Sequence, residues 1–155
     1  MHIAKLDLKH GTTLIDSNPI KVDENGVLVT SIEKLCAPRR ALNSEKIRYH
    51  FLKKISICGK SADGVIEIEE KEISSITFLF DFIEFFESSI LESKVIEACE
   101  KYWNLKFFSI HPSTAFLAPC KWGQAVFFYD AKQGDLSLEL KFQYHKLNLA
   151  KDYET

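Results

Sequence analysis

Apolar and polar residues alternate along much of this chain with the two-residue period of a β-strand. Ala4, Leu6 and Leu8 alternate with Lys5, Asp7 and Lys9, which predicts a strand with one face on a core. Past Gly11, the β-prone piece 12–15 leads into a turn at Asp16-Ser17-Asn18-Pro19. Ile20-Lys21-Val22 and Val27-Leu28-Val29 flank Asp23-Glu24-Asn25-Gly26, a hairpin in which Gly26 supplies a positive φ. Thr30-Ser31-Ile32-Glu33 fits a capping box and predicts a short helix that Pro38 limits to about two turns. Ile47, Tyr49, Phe51, Ile55 and Ile57 share one parity, with Arg48, His50, Lys54 and Ser56 on the other. That spacing turns basic residues to one exposed strand face. A turn from Gly59 to Gly64 then leads to a second strand, 65–69. Pairing the two strands brings Arg48 and Lys54 near Glu67 and Glu69.

Residues 76–87 fit two periods. As a strand they place Ile76, Phe78, Phe80 and Phe82 on one side, with residue types that favour β. As a helix they place Thr77, Asp81, Glu84 and Ser88 at spacings of four, three and four, a single narrow polar stripe. The helix is favoured because every polar residue obeys its spacing, and Ser74 or Ser75 caps it. In 90–102, Leu91, Val95, Ala98 and Tyr102 form an apolar stripe, while Glu92, Glu97, Glu100 and Lys101 point to water. This is a second helix. Strands are predicted again at 105–111, 114–117, 124–130 and 136–144, the last two joined through Gly134. Residues 151–155 form a loose polar tail. Two groups of strands around central helices, without βαβ alternation, predict one α+β domain over residues 1–155. Its sheet is mostly antiparallel β, with one or two central helices packed on one face.

Composition changes this picture little. A chain of 155 residues buries roughly 70% of its unfolded surface, enough for a core without staples. Twelve Phe, five Tyr and two Trp read as core material. The first ten residues alternate and lack a long apolar stretch followed by a small-residue cleavage site, which predicts a cytoplasmic protein. Cys36, Cys58, Cys99 and Cys120 show no short pairing, as suits reduced, buried thiols. Seventeen Lys against three Arg lowers the expectation of base-specific nucleic-acid reading.

Charge changes it more. Residues 33–60 carry eight basic residues against two acidic ones, and residues 61–100 carry eleven acidic residues against two basic ones, although the whole chain is only −2. A fold that separates these blocks presents an acidic surface and a basic one, a means of choosing partners.

Motifs for chemistry are weak. His2, His10, His50, His111 and His145 have no His or Cys three to five residues away, as a structural zinc site requires. The Asp23-Glu24-Asn25-Gly26 turn puts Lys21 where a calcium loop needs its first carboxylate. Gly59-Lys60-Ser61 resembles the end of a P-loop, with Lys54 where the upstream glycine belongs. Ser31-Ile32-Glu33-Lys34 fits Ser-x-x-Lys, a match expected by chance in a chain so rich in both residues, and it has no partner motifs. No metal and no cofactor are predicted. Cys120, with His111 and Asp130, has the composition of a cysteine-nucleophile set, in which Lys121 lowers the thiol pKa; the alternative is that Cys120 packs under Trp122.

The leading expectation is a non-catalytic protein-binding module, a bacterial immunity or inhibitor protein that neutralises a cognate basic toxin, such as a nuclease, through an acidic surface. The partner-binding residues are Glu67, Glu69, Glu70 and Glu72, with Asp63 and Glu87 at the rim. Two rivals are a small enzyme using Cys120 and His111, and a secretion-type chaperone or adaptor that binds extended segments. Nucleic acid and membrane are not the expected partners.

Overall fold

The structure is a computed structural model that describes residues 4–25, 28–29, 36–40, 47–80, 91–110, 115–130 and 135–143. Its first hairpin joins β1 (Lys5–Lys9) to β2 (Thr12–Ile15), opposing Leu6 to Ile15 and Leu8 to Thr13. The connecting residues His10 and Gly11 have φ values of 53° and 80°, the left-handed pair whose twist matches the strands it joins. The same two-residue geometry recurs at Asp16-Ser17 before β3 (Asn18–Pro19), at Cys58-Gly59 between β8 (Ile55–Ile57) and β9 (Lys60–Glu69), and at Glu70-Lys71 between β9 and β10 (Glu72–Phe80). A separate ribbon of β4 (Lys21–Val22) and β5 (Leu28–Val29) is the hairpin that the sequence predicts.

Next come β6 (Cys36–Arg40) and β7 (Ile47–Phe51), which pair antiparallel. Pro38 therefore lies inside a strand, where a short helix was expected to end; residues 30–35 of that expected helix lie outside the described residues. Among the described strands β6 pairs only with β7, and an edge position is where a strand tolerates proline. The helix α1 (Leu91–Trp103) follows, then β11 (Phe108–Ile110), β12 (Ala115–Cys120), β13 (Gly123–Asp130) and β14 (Asp135–Phe142).

Twelve of the described strands join in one sheet with the order β11-β12-β13-β14-β10-β9, which forks at β9. The first residues of β9 pair with β8, which continues through β1 to β2 and β3, while Val65 to Ile68 pair with β7. The β1–β8 pair is parallel and the others are antiparallel.

This corrects the expected α+β class. The chain is mostly β-sheet, and α1 is the one helix among the described residues. The expected helix over 76–87 is β10 as far as Phe80; residues 81–87 lie outside the described residues. Ile76, Phe78 and Phe80 are buried while Thr77 and Leu79 face outward. The strand wins because β10 has a partner on each side, β9 and β14. Its backbone donors and acceptors are thus satisfied on one side by the adjoining hairpin strand β9 and on the other by β14, which no local window contains.

One sheet face carries the core. Leu6, Leu8, Ile15, Ile55, Ile57, Ile66, Ile68, Phe78, Phe127, Leu138 and Leu140 belong to a single buried cluster with Val95, Cys99 and Trp103 of α1. The buried helix row is therefore 95, 99 and 103, whereas Tyr102, expected to be buried, is 62% exposed. Burying Trp103 instead removes more apolar surface from water. The sheet curls strongly. A Cβ on Gly11, in the β1–β2 turn, would lie 2.6 Å from Cβ of Trp122, in the β12–β13 turn, although these hairpins are far apart in strand order. Such coiling folds the two wings toward each other around the core.

Candidate functional site

The outer face of β7, β9, β10 and β14 carries polar residues from all four strands. Strand alternation makes Arg48 and His50 face outward because Tyr49 and Phe51 face the core. The register then stacks two rows across the strands. Arg48 opposes Glu67, Glu67 opposes Ser75, and Ser75 opposes Lys141. His50 opposes Val65, Val65 opposes Thr77, and Thr77 opposes Glu139. A register irregularity between Ile73 and Ser75 breaks the β9–β10 ladder beside these rows. There the Ser74 hydroxyl donates to the Glu67 carbonyl at 3.1 Å.

Between the rows lies an open groove of about 550 Å³ lined by Arg48, His50, Glu67, Glu69, Glu139 and Lys141 with Ser75 and Thr77. The guanidinium of Arg48 donates through Nε to Glu67 Oε2 at 3.0 Å. Lys141 Nζ sits 3.7 Å from Glu139 Oε1, and Thr77 Oγ1 donates to Glu139 Oε2 at 3.5 Å. The groove thus holds carboxylates that already have cationic or hydroxyl neighbours. Among the described residues no group of three or more His, Cys, Asp or Glu is placed to hold a metal ion.

The same face becomes apolar toward the other wing. Leu79 opposes Ser137 and Ser137 opposes Phe128, while Glu139, Val126, Leu117 and Phe108 follow one another across the strands. Leu79, Phe108 and Phe128 are 50%, 45% and 38% exposed. Three large apolar side chains thus stand exposed on this face, spread over β10, β13 and β11.

The expected site residues divide. Glu67 and Glu69 line the groove. Glu67 is not the unpaired, fully solvated carboxylate its acidic run suggests, because Arg48 pairs with it across the strands. Asp63 likewise lies 3.7 Å from Lys54, so part of the charge segregation along the chain is cross-strand pairing. Glu70 is exposed in the β9–β10 turn and Glu72 is exposed at the start of β10. Glu87 lies outside the described residues. Sequence reasoning missed Glu139, Lys141, Thr77 and His50 as groove residues. Their signal was the polar parity of their strands, but nothing local tells that β14 pairs with β10.

Cys120 ends β12 and its thiol donates to the Ala118 carbonyl of the same strand at 3.5 Å. Burial pushes that thiol up to about 11, so at pH 7 about one molecule in ten thousand carries the thiolate. The expected help from Lys121 does not lower it. His111, its expected partner, lies outside the described residues. Trp122 packs on Phe142, with ring centroids 5.1 Å apart. No helix among the described residues is long and apolar enough to cross a membrane. Comparison of the chain with protein-family models, curated proteins and solved structures gives no significant match.

Proposed function

We propose that this protein is a non-catalytic binding module that docks a protein partner on the outer face of its sheet, as an immunity or inhibitor protein docks a basic toxin domain. The observation that carries the reading is the continuity of that face. A charged groove containing Glu67, Glu69 and Glu139 runs into the exposed side chains of Leu79 and Phe128. The carboxylates steer a cationic partner and fix its register, and the apolar residues supply the area whose burial holds the complex. Glu70 and Glu72 extend the acidic rim at the hairpin end, next to Glu69.

The test is association kinetics with the partner recovered from the native host or encoded beside this gene. Reversal of Glu69 and Glu70 to Lys lowers the on-rate about tenfold and flattens its salt dependence, whereas Leu79→Asp raises the off-rate. Unchanged kinetics in both variants overturns the reading. The exposed Leu79, Phe108 and Phe128 favour a second reading, an adaptor that holds extended apolar segments. An adaptor of that kind loses affinity on Leu79→Asp and Phe128→Ser while its on-rate ignores both salt and the glutamate reversals.

A further inference from the structure

Because the large sheet forks, three of its strands pair on one side only among the described strands: β3, β6 and β11. An edge strand presents a row of backbone donors and acceptors to any chain that lies beside it, and proteins block that row with proline or charge. Two of the three edges are blocked. β3 is Asn18-Pro19, and β6 contains Pro38 followed by Arg39 and Arg40. Proline has no N–H to offer a new neighbour. The third edge differs. β11 is Phe108-Ser109-Ile110, with no proline and no charge. It pairs with β12 through Leu117, Phe116 and Ala115, and both Phe108 and Ser109 are exposed. Lys106 Nζ lies 5.5 Å from the centroid of the Phe108 ring, just outside the strand. Nothing within β11 itself keeps a further strand away.

We propose that β11 is a homodimer edge, at which two copies of this chain pair antiparallel about a two-fold axis at Ser109 and continue one sheet into the other. The occupant is a second copy because the edge is its own complement. In an antiparallel pair centred on Ser109, Phe108 of each copy stands opposite Ile110 of the other, and Ser109 stands opposite Ser109. An aromatic residue opposite a β-branched one is a favourable cross-strand pair, and the two-fold axis makes it twice. Charge raises no barrier. The chain carries only −2 overall, so two copies approach without strong long-range repulsion. The two Lys106 residues fall on opposite sides of the axis, six strand positions or roughly 20 Å apart, beyond the Debye length at physiological salt. The axis stands perpendicular to the sheet, so the outer faces of both copies lie on one side of the joined sheet. This inference stands apart from what docks on that face.

Sedimentation equilibrium of the full-length chain tests it, under reducing conditions and over a concentration series from micromolar to sub-millimolar. The expected weight-average mass rises from that of one chain to that of two and no further, since a two-fold edge is used up on pairing. Ile110→Lys should weaken the dimer about tenfold or more, because it gives β11 the kind of charge that blocks β6. An unchanged melting temperature checks that this variant is folded. Ser109→Cys keeps the test independent of it. The two introduced thiols face each other across the axis, so a short bismaleimide should join position 109 of one copy to position 109 of the other. Mass spectrometry of the linked peptides reads that bond. A mass of one chain at every concentration overturns the proposal. A dimer whose two positions 109 stay unlinked, assembly that runs past two copies, or a folded Ile110→Lys variant that dimerises as the wild type does overturns it equally.

Discussion

Gly64 lies in the middle of β9 directly under the ring of Phe51, and replacing it by alanine tests how β7 is held against the sheet. A Cβ at this position falls 2.3 Å from Phe51 Cδ2, 2.5 Å from its Cε2 and 3.4 Å from Phe78 Cδ1. Carbon atoms rest roughly 3.5–4.0 Å apart, so the Phe51 ring must withdraw by more than about 1 Å. That ring is 8% exposed and has packed neighbours to push against. Overpacking of this kind costs about 1–3 kcal/mol. Alanine by itself is favoured over glycine in a strand interior by about 0.5–1 kcal/mol, which offsets part of the cost. The expected net loss is about 1–2 kcal/mol, or about 5 °C in Tm for a domain of this size.

Urea denaturation followed by tryptophan fluorescence measures it, with the two-state assumption checked by a second probe. The decisive arm is a double-mutant cycle. Phe51→Ala removes the obstructing ring, so Gly64→Ala in that background should be neutral or stabilising by about 0.5 kcal/mol. A Gly64→Ala change that costs the same in both backgrounds, or costs nothing in the wild-type protein, refutes the packing argument. It would also remove the reason that Arg48 and His50 stand where they do, since Phe51 anchors the strand that carries them.

Two further outcomes follow from the same geometry. The Arg48–Glu67 pair is 3.0 Å long, but its side chains are 51% and 19% exposed. A double-mutant cycle should therefore give at most about 1 kcal/mol, shrinking with added salt; a coupling above about 2 kcal/mol would show that the pair is a structural clamp. For Cys120 the folded thiol sits at about 11, above the ordinary value of 9.0, because burial disfavours the thiolate. The unfolded chain therefore loses its proton first, and the stabilisation associated with this group is present below pH 9 and lost as pH rises from about 9 to about 11. Cys120→Ala should flatten that part of the stability-versus-pH curve measured by urea titration, and an unchanged curve contradicts the assignment.

Short-range order was readable in the chain to the extent that one period dominated. β1, β2, the β4–β5 ribbon, the parity of Ile47, Tyr49 and Phe51, and the helix after residue 90 all follow from alternation or from a helical stripe. The strand expected from Ile47 to Ile57 is two strands, because Leu52 and Lys53 break it and the halves pair with different parts of β9. The turn expected from Gly59 to Gly64 is shorter than those glycines imply. It closes at Cys58-Gly59, and Gly64 serves instead as the gap that admits Phe51. In α1 the helix was legible and its buried row was not, because Tyr102 and Trp103 are equally apolar to a pattern and only the packing partner chooses between them.

The functional face divides along the same line. By itself the sequence determines which residues share a strand face, since side chains alternate by covalent geometry, and it determines the opposed charge blocks. Arg48 opposite Glu67 belongs to that level as well, because the two strands are close in sequence. Tertiary structure alone decided that residues 76–80 form a central strand and that Glu139 and Lys141 join Glu67 in one groove. Each of these depends on a partner many residues away. Its contribution reaches the chain only after the loop between them has closed, and no local period records it.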